Sequence, residues 1–329
     1  MRKKNQNIKR SHKKILVFGD LMLDNYINGS VIKYCDDPYI PVLKVKNMQV
    51  YLGGAANVVN NLNALGCNVA VCGIVGNDNN GDVLKGKLSE ITNTRGVFYV
   101  SSSTIIKNII SSEKNQILRY DIEDKIIIDS FLESNLKKYL NYEIDTKLSA
   151  VIISDYCKGT CSDGICKFII KKCSSLNIPV LVDSKCDNWE KYKGAYLVKP
   201  NIKDFGRAYQ YIKDEEHLID IVKDKLVKKI GISKVILTRS EDGVVYLDSK
   251  SRKNIPAYSE SIIDPTGCGD TLLAVIAMYI TSTVPFLEII KIACVAAWLV
   301  GNKKNTATVT YEELLNEIKG SRNMYSIHI

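Results

Sequence analysis

From Ser149 onward, short apolar runs alternate with amphipathic stretches, and this alternation constrains the fold more than any other feature of the chain. "SAVIISDY" (149–156), "IPVLVDS" (178–184), "AYLVKPN" (195–201), "SKVILTRS" (233–240) and "DGVVYLD" (242–248) have strand length. Helical segments lie among them. "SDGICKFIIKKCSSLN" (162–177) opens on a Ser cap with an acid in its first turn. "DEEHLIDIVKDKLVKKIG" (214–231) carries acids early and lysines late, matching the helix dipole. Three closing helices are read over 267–282, 285–300 and 310–319. Strands alternating with helices predict an α/β fold, a mostly parallel sheet covered by helices on both faces. Such sheets bind ligands outside the carboxyl ends of their strands.

The first half adds β-structure to this plan. "KILVFGD" (14–20) reads as a buried first strand, "AANVVNNLNALG" (55–66) as a helix stopping at Gly66, and "CNVAVCGIVG" (67–76) as a strand. "NGDVLKGKLSEI" (80–91) is a further helix. Residues 26–54 alternate with period two and include Pro38 and Pro41, which fits a hairpin or flap. Residues 97–120 are similarly β-rich. With 329 residues, 46% of them hydrophobic, and no repeat or linker, the expectation is one domain over 14–320 with a β-flap insertion at about 26–50. A basic tail (1–13) and a short C-terminal tail (321–329) flank it.

The net charge is +9, and the first 14 residues hold seven Lys or Arg and no acid. A solvated tail is the expected role, ahead of a nucleic-acid arm. No apolar run approaches the ~18–20 residues of a membrane span, and no signal-type apolar core follows the basic start. A cytoplasmic protein without membrane partners is expected. Cys157, Cys161, Cys166 and Cys173 do not form the two close pairs of a zinc site, and none of His12, His217 and His328 lies near them. Reduced thiols packing as small hydrophobes are the expectation.

Several residues stand where chemistry can happen. Asp20 and Asp24 follow the first strand and can accept hydrogen bonds from a polyol. Gly53 and Gly54 allow close backbone approach, and Asn57 one turn later offers a donor and an acceptor. "SDYCKG", "DSK" and "KPN" place Asp155, Lys158, Asp183, Lys185 and Asn201 at three successive strand ends. In "IIDPTGCGDTLLAVIAMYI" (262–280) an apolar run, read as a strand, stops at Pro265 and a helix starts at Gly267. Free N–H groups at a helix start bind anions. Asp270 in that turn suits a base that takes a proton from a hydroxyl attacking a bound phosphoryl group. An ordinary first-turn acid is the plainer alternative.

Taken together, these segments resemble the ribokinase-like (PfkB) sugar kinases across residues 14–319. "GGAANVVNN" is similar to the N-terminal signature of that family and "DPTGCGD" to its C-terminal one. The resemblance implies Asp270 as catalytic base and the backbone of Gly267, Cys268 and Gly269 as anion hole. It implies Asp20, Asp24, Gly53, Gly54 and Asn57 as sugar-binding positions, with Lys107, Arg119, Asp155, Lys158, Asp183 and Lys185 near substrate and phosphates. It implies ATP and Mg²⁺ as cofactors: Asn201 with Asp204 would hold the metal through water. Thr238, Ser240 and Gly243 would form the nucleotide loop, and Asn302 and Asn305 would help close the adenine pocket. A homodimer joined through the flap is also implied. "VFGDLMLDNY", "ISDYCKG" and "LTRSEDG" are most similar to the branch that phosphorylates the anomeric hydroxyl of D-glycero-β-D-manno-heptose 7-phosphate. That product, heptose 1,7-bisphosphate, serves ADP-heptose and lipopolysaccharide core synthesis.

The sequence also departs from that branch. The flap motif R-[IV]-S-P-E-A-P reads "KYCDDPYIP", so Lys33 and Cys35 replace Arg and Ser, and Asp36-Asp37 break the Ser-Pro-Glu step. T-K-L-R reads "IKNI", so Lys107 stays while Ile109 replaces Arg. Arg grips phosphate bidentately and Lys does not. A kinase of another sugar or nucleoside is therefore a second reading, and a non-catalytic sugar-nucleotide sensor a third.

Overall fold

The structure is a computed structural model, and it describes residues 13–36, 39–113, 115–209, 212, 214–259 and 261–320. The basic tail, Asp37 and the C-terminal tail therefore lie mostly or wholly outside the described residues. In chain order the elements are β1 (Lys14–Tyr34), β2 (Pro41–Gly54), α1 (Ala55–Ala64), β3 (Asn68–Gly76), α2 (Asn79–Ser89), β4 (Val97–Val100), β5 (Ile105–Ser112), β6 (Asn115–Ile122) and α3 (Ser130–Ile144). There follow β7 (Ala150–Asp155), α4 (Asp163–Ser175), β8 (Val180–Ser184), β9 (Leu197–Val198), α5 (Ile202–Gly206), α6 (Glu215–Val222), β10 (Lys234–Thr238), β11 (Val244–Leu247), β12 (Arg252–Ile255), α7 (Cys268–Tyr279), α8 (Phe286–Gly301) and α9 (Tyr311–Gly320).

The main sheet runs β12-β11-β10-β9-β8-β7-β1-β3-β4 and is parallel from β10 to β4. Every residue of β7 and β8 is buried, as expected for strands covered on both faces. Alternate residues of β1 point into two cores. Ile15 and Val17 meet α1, α7 and α8, while Leu16 and Phe18 meet α3 and α4. β1 then leaves the main sheet. Its second half pairs antiparallel with β2 and parallel with β5, and β5 pairs with β6, making the flap. The flap is rich in exposed apolar side chains, among them Ile32, Tyr34, Val45, Met48, Leu118 and Tyr120.

Four local expectations need correction. The run before Pro265 is not a strand: Ile263 is 63% exposed, and the N–H groups of Ile263 and Asp264 both donate to Gly301 O at the end of α8. The segment 214–231 is not one α-helix, because α6 passes into a π-helical stretch over Lys223–Lys229. The strand at 195–201 shrinks to two residues. Cys157 is not a reduced core thiol but is joined to Cys186 in a disulfide, whereas Cys161, Cys166 and Cys173 are free and buried as expected.

Candidate active site

The carboxyl ends of β7, β8, β9 and β10 face the start of α7 across a cleft of about 430 Å³. That volume lies within the range of small-molecule sites. Gly267 begins α7 with φ 81°, a left-handed conformation that glycine adopts without strain. A Cβ there would also come within 3.1 Å of Asn57 Nδ2. Among the described residues, Gly269 and Asp270 N–H find no acceptor at this helix start.

Asp270 is held from two sides. Asn57 Nδ2 donates to its Oδ2 at 2.7 Å, and Tyr156 OH donates to its Oδ1 at 3.1 Å. Asn61 in turn holds Asn57 through its carbonyl and side-chain oxygens at 2.9 and 3.2 Å, and accepts from Thr271 Oγ1 at 2.7 Å. α1 and α7 are thus tied together at the carboxylate. Burial, followed by the Asp183 charge, pushes the Asp270 pKa up to about 6, against the opposing pull of Asn57, Lys199 and Tyr156. Burial raises the Tyr156 phenol, so it stays a donor. Such a carboxyl is poised near neutral pH, where a general base works best.

Next to it lie two Lys–Asp pairs. Lys199 pairs with Asp183 at 2.9 Å, both buried, and a Cβ on Gly269 would stand 3.1 Å from Lys199 Nζ. Lys185 pairs with Asp204 at 2.6 Å. Burial opposes the Lys185 charge, but Asp183 and Asp204 outweigh it and raise its pKa. Cations and helix-start N–H groups in one cleft can neutralise an anion in transfer.

Of the residues singled out in the sequence, Asp183, Lys185, Asn201, Thr238, Ser240, Gly243, Gly267, Cys268, Gly269 and Asp270 line this one cleft. Asn57 joins them through Asp270. Gly54, at φ 53°, sits at the start of α1, and Gly53 leaves room for the Asp24 carboxylate, which would lie 2.6 Å from a Cβ there. Asp24 Oδ2 accepts from Thr306, and its buried Oδ1 has no hydrogen-bond partner among the described residues. Burial raises the Asp24 pKa, and the Lys107 charge opposes this. Lys107 Nζ stands over the Tyr156 ring at 4.8 Å, linking this flap-side group to Asp270.

Other expected residues have different duties. Asp20 is fully buried, and its oxygens accept from Tyr156, Lys158 and Thr160 N–H, so it shapes the loop after β7. Asp155 accepts from Lys191 Nζ and Tyr192 OH, both at 2.5 Å, and from Cys157 N–H, so it too is a buried support. Asn302 and Asn305 do not line the cleft. Asn302 bonds to Trp298 O, and Asn305 N–H donates to Asp264 while its side chain meets Tyr51 OH. The aromatic wall is Trp298, edge-on to Tyr258 with ring centroids 5.0 Å apart. Arg119 is turned to Asp121 and Lys158 to Glu123. Cys268 donates to Ala297 O at 3.3 Å. Burial, then the Asp264 charge, pushes its thiol up to about 11, which keeps it protonated as a packing group against α8. Tyr156, Asn61, Lys199 and Trp298 are the site residues that sequence reasoning did not single out.

Residues 12–313 match the pfkB family carbohydrate kinases. The chain is 40% identical over 315 residues to "Bifunctional protein HldE" of Campylobacter concisus, covering 94% of this chain and 66% of that protein. It is 36% identical over 304 residues to the protein of that name from Sulfurimonas denitrificans, covering 92% and 63%. The chain therefore spans a little under two thirds of the length of these relatives. Among solved structures, it resembles Arabidopsis thaliana ribokinase complexed with ribose and ATP (TM-score 0.72, 16% identity, 94% and 100% of the two chains). It also resembles phosphofructokinase-2 of Escherichia coli (TM-score 0.75, 15% identity, 93% and 98%).

Proposed function

Since the chain belongs to the pfkB family of carbohydrate kinases, we propose that it moves the γ-phosphoryl group of ATP to the anomeric hydroxyl of D-glycero-D-manno-heptose 7-phosphate. The observation that carries the kinase chemistry is Asp270, bracketed by Asn57 and Tyr156 at a helix start that also faces Lys199. Asp270 takes the proton of the attacking hydroxyl. Asp24 Oδ1 and Asn57 orient the sugar beneath the flap. The free backbone N–H groups at the start of α7, Gly269 among them, and Lys199 receive the charge that builds on the transferred group, while Cys268 N–H is bonded to Pro265 O. The nucleotide lies along Thr238, Ser240 and Gly243, with its base against Trp298. Mg²⁺ would be held through water by the hard oxygen donors Asn201 and Asp204, the latter also paired with Lys185, with phosphate as co-ligand. Asn201 Oδ1 already accepts Lys203 N–H, in keeping with a contact through water. When bound, the ion would neutralise phosphate charge.

The heptose assignment rests on the segment resemblances noted above. A different sugar is the second reading, favoured by one observation. Arg119 and Lys158 are both spent on flap carboxylates, and Ile109 faces Arg119 across the strands. Among the described residues Lys107 forms no ion pair, leaving one unspent cation for a sugar's phosphate. A panel of sugars and sugar phosphates assayed for ADP release decides. Fastest turnover on heptose 7-phosphate is expected, preference for an unphosphorylated sugar would select the second reading, and binding without ADP release would indicate a sensor. The exposed apolar flap side chains support a homodimer through this element, and a monomer by light scattering at micromolar concentration would remove that part of the proposal.

The raised Asp270 pKa gives a signed pH prediction. The base works as carboxylate, so kcat/KM is expected to fall as pH drops through about 6. Tyr156→Phe removes a hydrogen bond that favours the carboxylate, so the acid limb moves to higher pH. A limb unmoved in that variant would dissociate Tyr156 from the base.

A further inference from the structure

We propose that Cys157 and Cys186 form a reversible thiol–disulfide pair that sets how firmly Tyr156 is held against Asp270. The two cysteines lie 29 residues apart, on the loops that follow the adjacent strands β7 and β8, with Cα atoms 5.5 Å apart. That separation lies within the usual range for a disulfide. Cys157 is exposed and Cys186 half-buried, so both redox states are reachable from solvent.

The pair sits among the site residues. Tyr156, the donor to Asp270, is the immediate neighbour of Cys157, and Lys185 on the cleft wall is the neighbour of Cys186. Cys157 has φ 62°, a left-handed conformation that a side-chain-bearing residue adopts at a cost. The cross-link adds to the hydrogen bonds that Asp155 accepts from Cys157 N–H and Asp20 from the N–H groups on either side. Once the bond is reduced, those hydrogen bonds alone hold the segment, and Tyr156 is held less firmly against Asp270. The surroundings accommodate the reduced state as well. Asp155 Oδ1 lies 3.2 Å from Cys186 Sγ and can accept a thiol proton, and Lys191 Nζ at 3.8 Å favours thiolate. The two sulfurs and Asp155 are also close enough to converge on one metal ion, but Asp155 is already committed to Lys191 and Tyr192.

The oxidant is a peroxide. One cysteine thiolate attacks a peroxide oxygen, giving a sulfenic acid and, after proton uptake, one water for hydrogen peroxide. The second thiol attacks that sulfur, the S–S bond forms, and a second water leaves. Two electrons and two protons thus pass from the thiols to the peroxide, and a dithiol reductant reverses the change.

The test uses the full chain, treated with hydrogen peroxide or with dithiothreitol. Peptide mass spectrometry without reduction is expected to find the 157 and 186 peptides joined after peroxide and separate after dithiothreitol. This arm stands without the kinase reading. The kinetic arm rests on that reading, and the sugar panel on reduced enzyme shows separately whether that reading fails. In the reduced enzyme the acid limb of kcat/KM is expected to lie higher by roughly half a pH unit or more, the effect of losing a hydrogen bond to the carboxylate. Cys157→Ser and Cys186→Ser should hold the limb at the reduced position under both treatments, which also separates this pair from oxidation of the exposed Cys35. No joined peptide in the folded protein, or one limb position in both redox states, would overturn the proposal.

Discussion

Replacing Asp270 by Asn is expected to lower kcat at least ~10²-fold, the lower end of what a general base contributes. Asn is the informative substitution because it keeps the shape of the site. Its amide oxygen can accept from Asn57 Nδ2, and its amide nitrogen can face Tyr156 OH, so neither buried donor loses its neighbour. Asp270→Ala would leave both without a partner and mix a folding defect into the kinetics. In Asp270→Asn, ATP affinity should stay near that of the parent, because the helix-start N–H groups, Lys199 and the Trp298 wall are untouched. The acid limb near pH 6 should also disappear from whatever activity remains, since the group that titrates there is gone. Near-normal turnover in this variant would sink the assigned role. A parallel loss of ATP binding would instead mark Asp270 as a structural residue.

The strands were readable because burial on both faces leaves continuous apolar runs, as in "AVIIS" of β7. α3 was not, because its fully buried apolar contact is a narrow stripe of Leu136, Leu140 and Ile144, interrupted by charged and polar residues. Its start signal was present: Asp129 accepts from Leu132 N–H at 2.7 Å and Glu133 lies in the first turn. The site divides in the same way. Asp270 and its glycines were legible because a helix start needs a particular local pattern. The internal partners of Asp20 and Asp155 were not legible, because a carboxylate at a strand end looks the same whether it faces a ligand or backbone N–H groups. Only tertiary structure shows that Asp20 is enclosed by the loop from Tyr156 to Thr160. Lys199 stood inside the quoted "KPN", but its burial beside Asp183 depends on how β9 sits between β8 and β10. Cys157 and Cys186 meet because parallel strands bring distant loops together, which no local spacing reveals.

The buried supports predict the largest loss of stability. Lys191 and Asp155 form an ion pair at 2.5 Å with side chains only 7% and 2% exposed. Forming such a pair adds little net stability, because desolvating both charges offsets their attraction. Removing one partner is different. Lys191→Met keeps length and apolar volume but leaves Asp155 charged or forces it to take a proton, with Tyr192 OH and Cys157 N–H as remaining donors. Unfolding free energy from denaturant titration is expected to fall by ~3–5 kcal/mol, the usual cost of orphaning a buried charge. Asp155→Asn combined with Lys191→Met removes the stranded charge and should recover part of that loss. A single variant within about 1 kcal/mol of the parent would mean that water reaches Asp155 or that Tyr192 alone suffices. The double variant separates electrostatics from packing: if it is no more stable than Lys191→Met, the loss comes from the lysine's stem and its bond to Cys161 O rather than from Asp155. Asp155 also fixes Cys157 N–H, and Asp20 fixes the N–H groups on either side of it. A stability loss on this side of the sheet should therefore reach the candidate base through Tyr156, lowering kcat as well as the unfolding free energy.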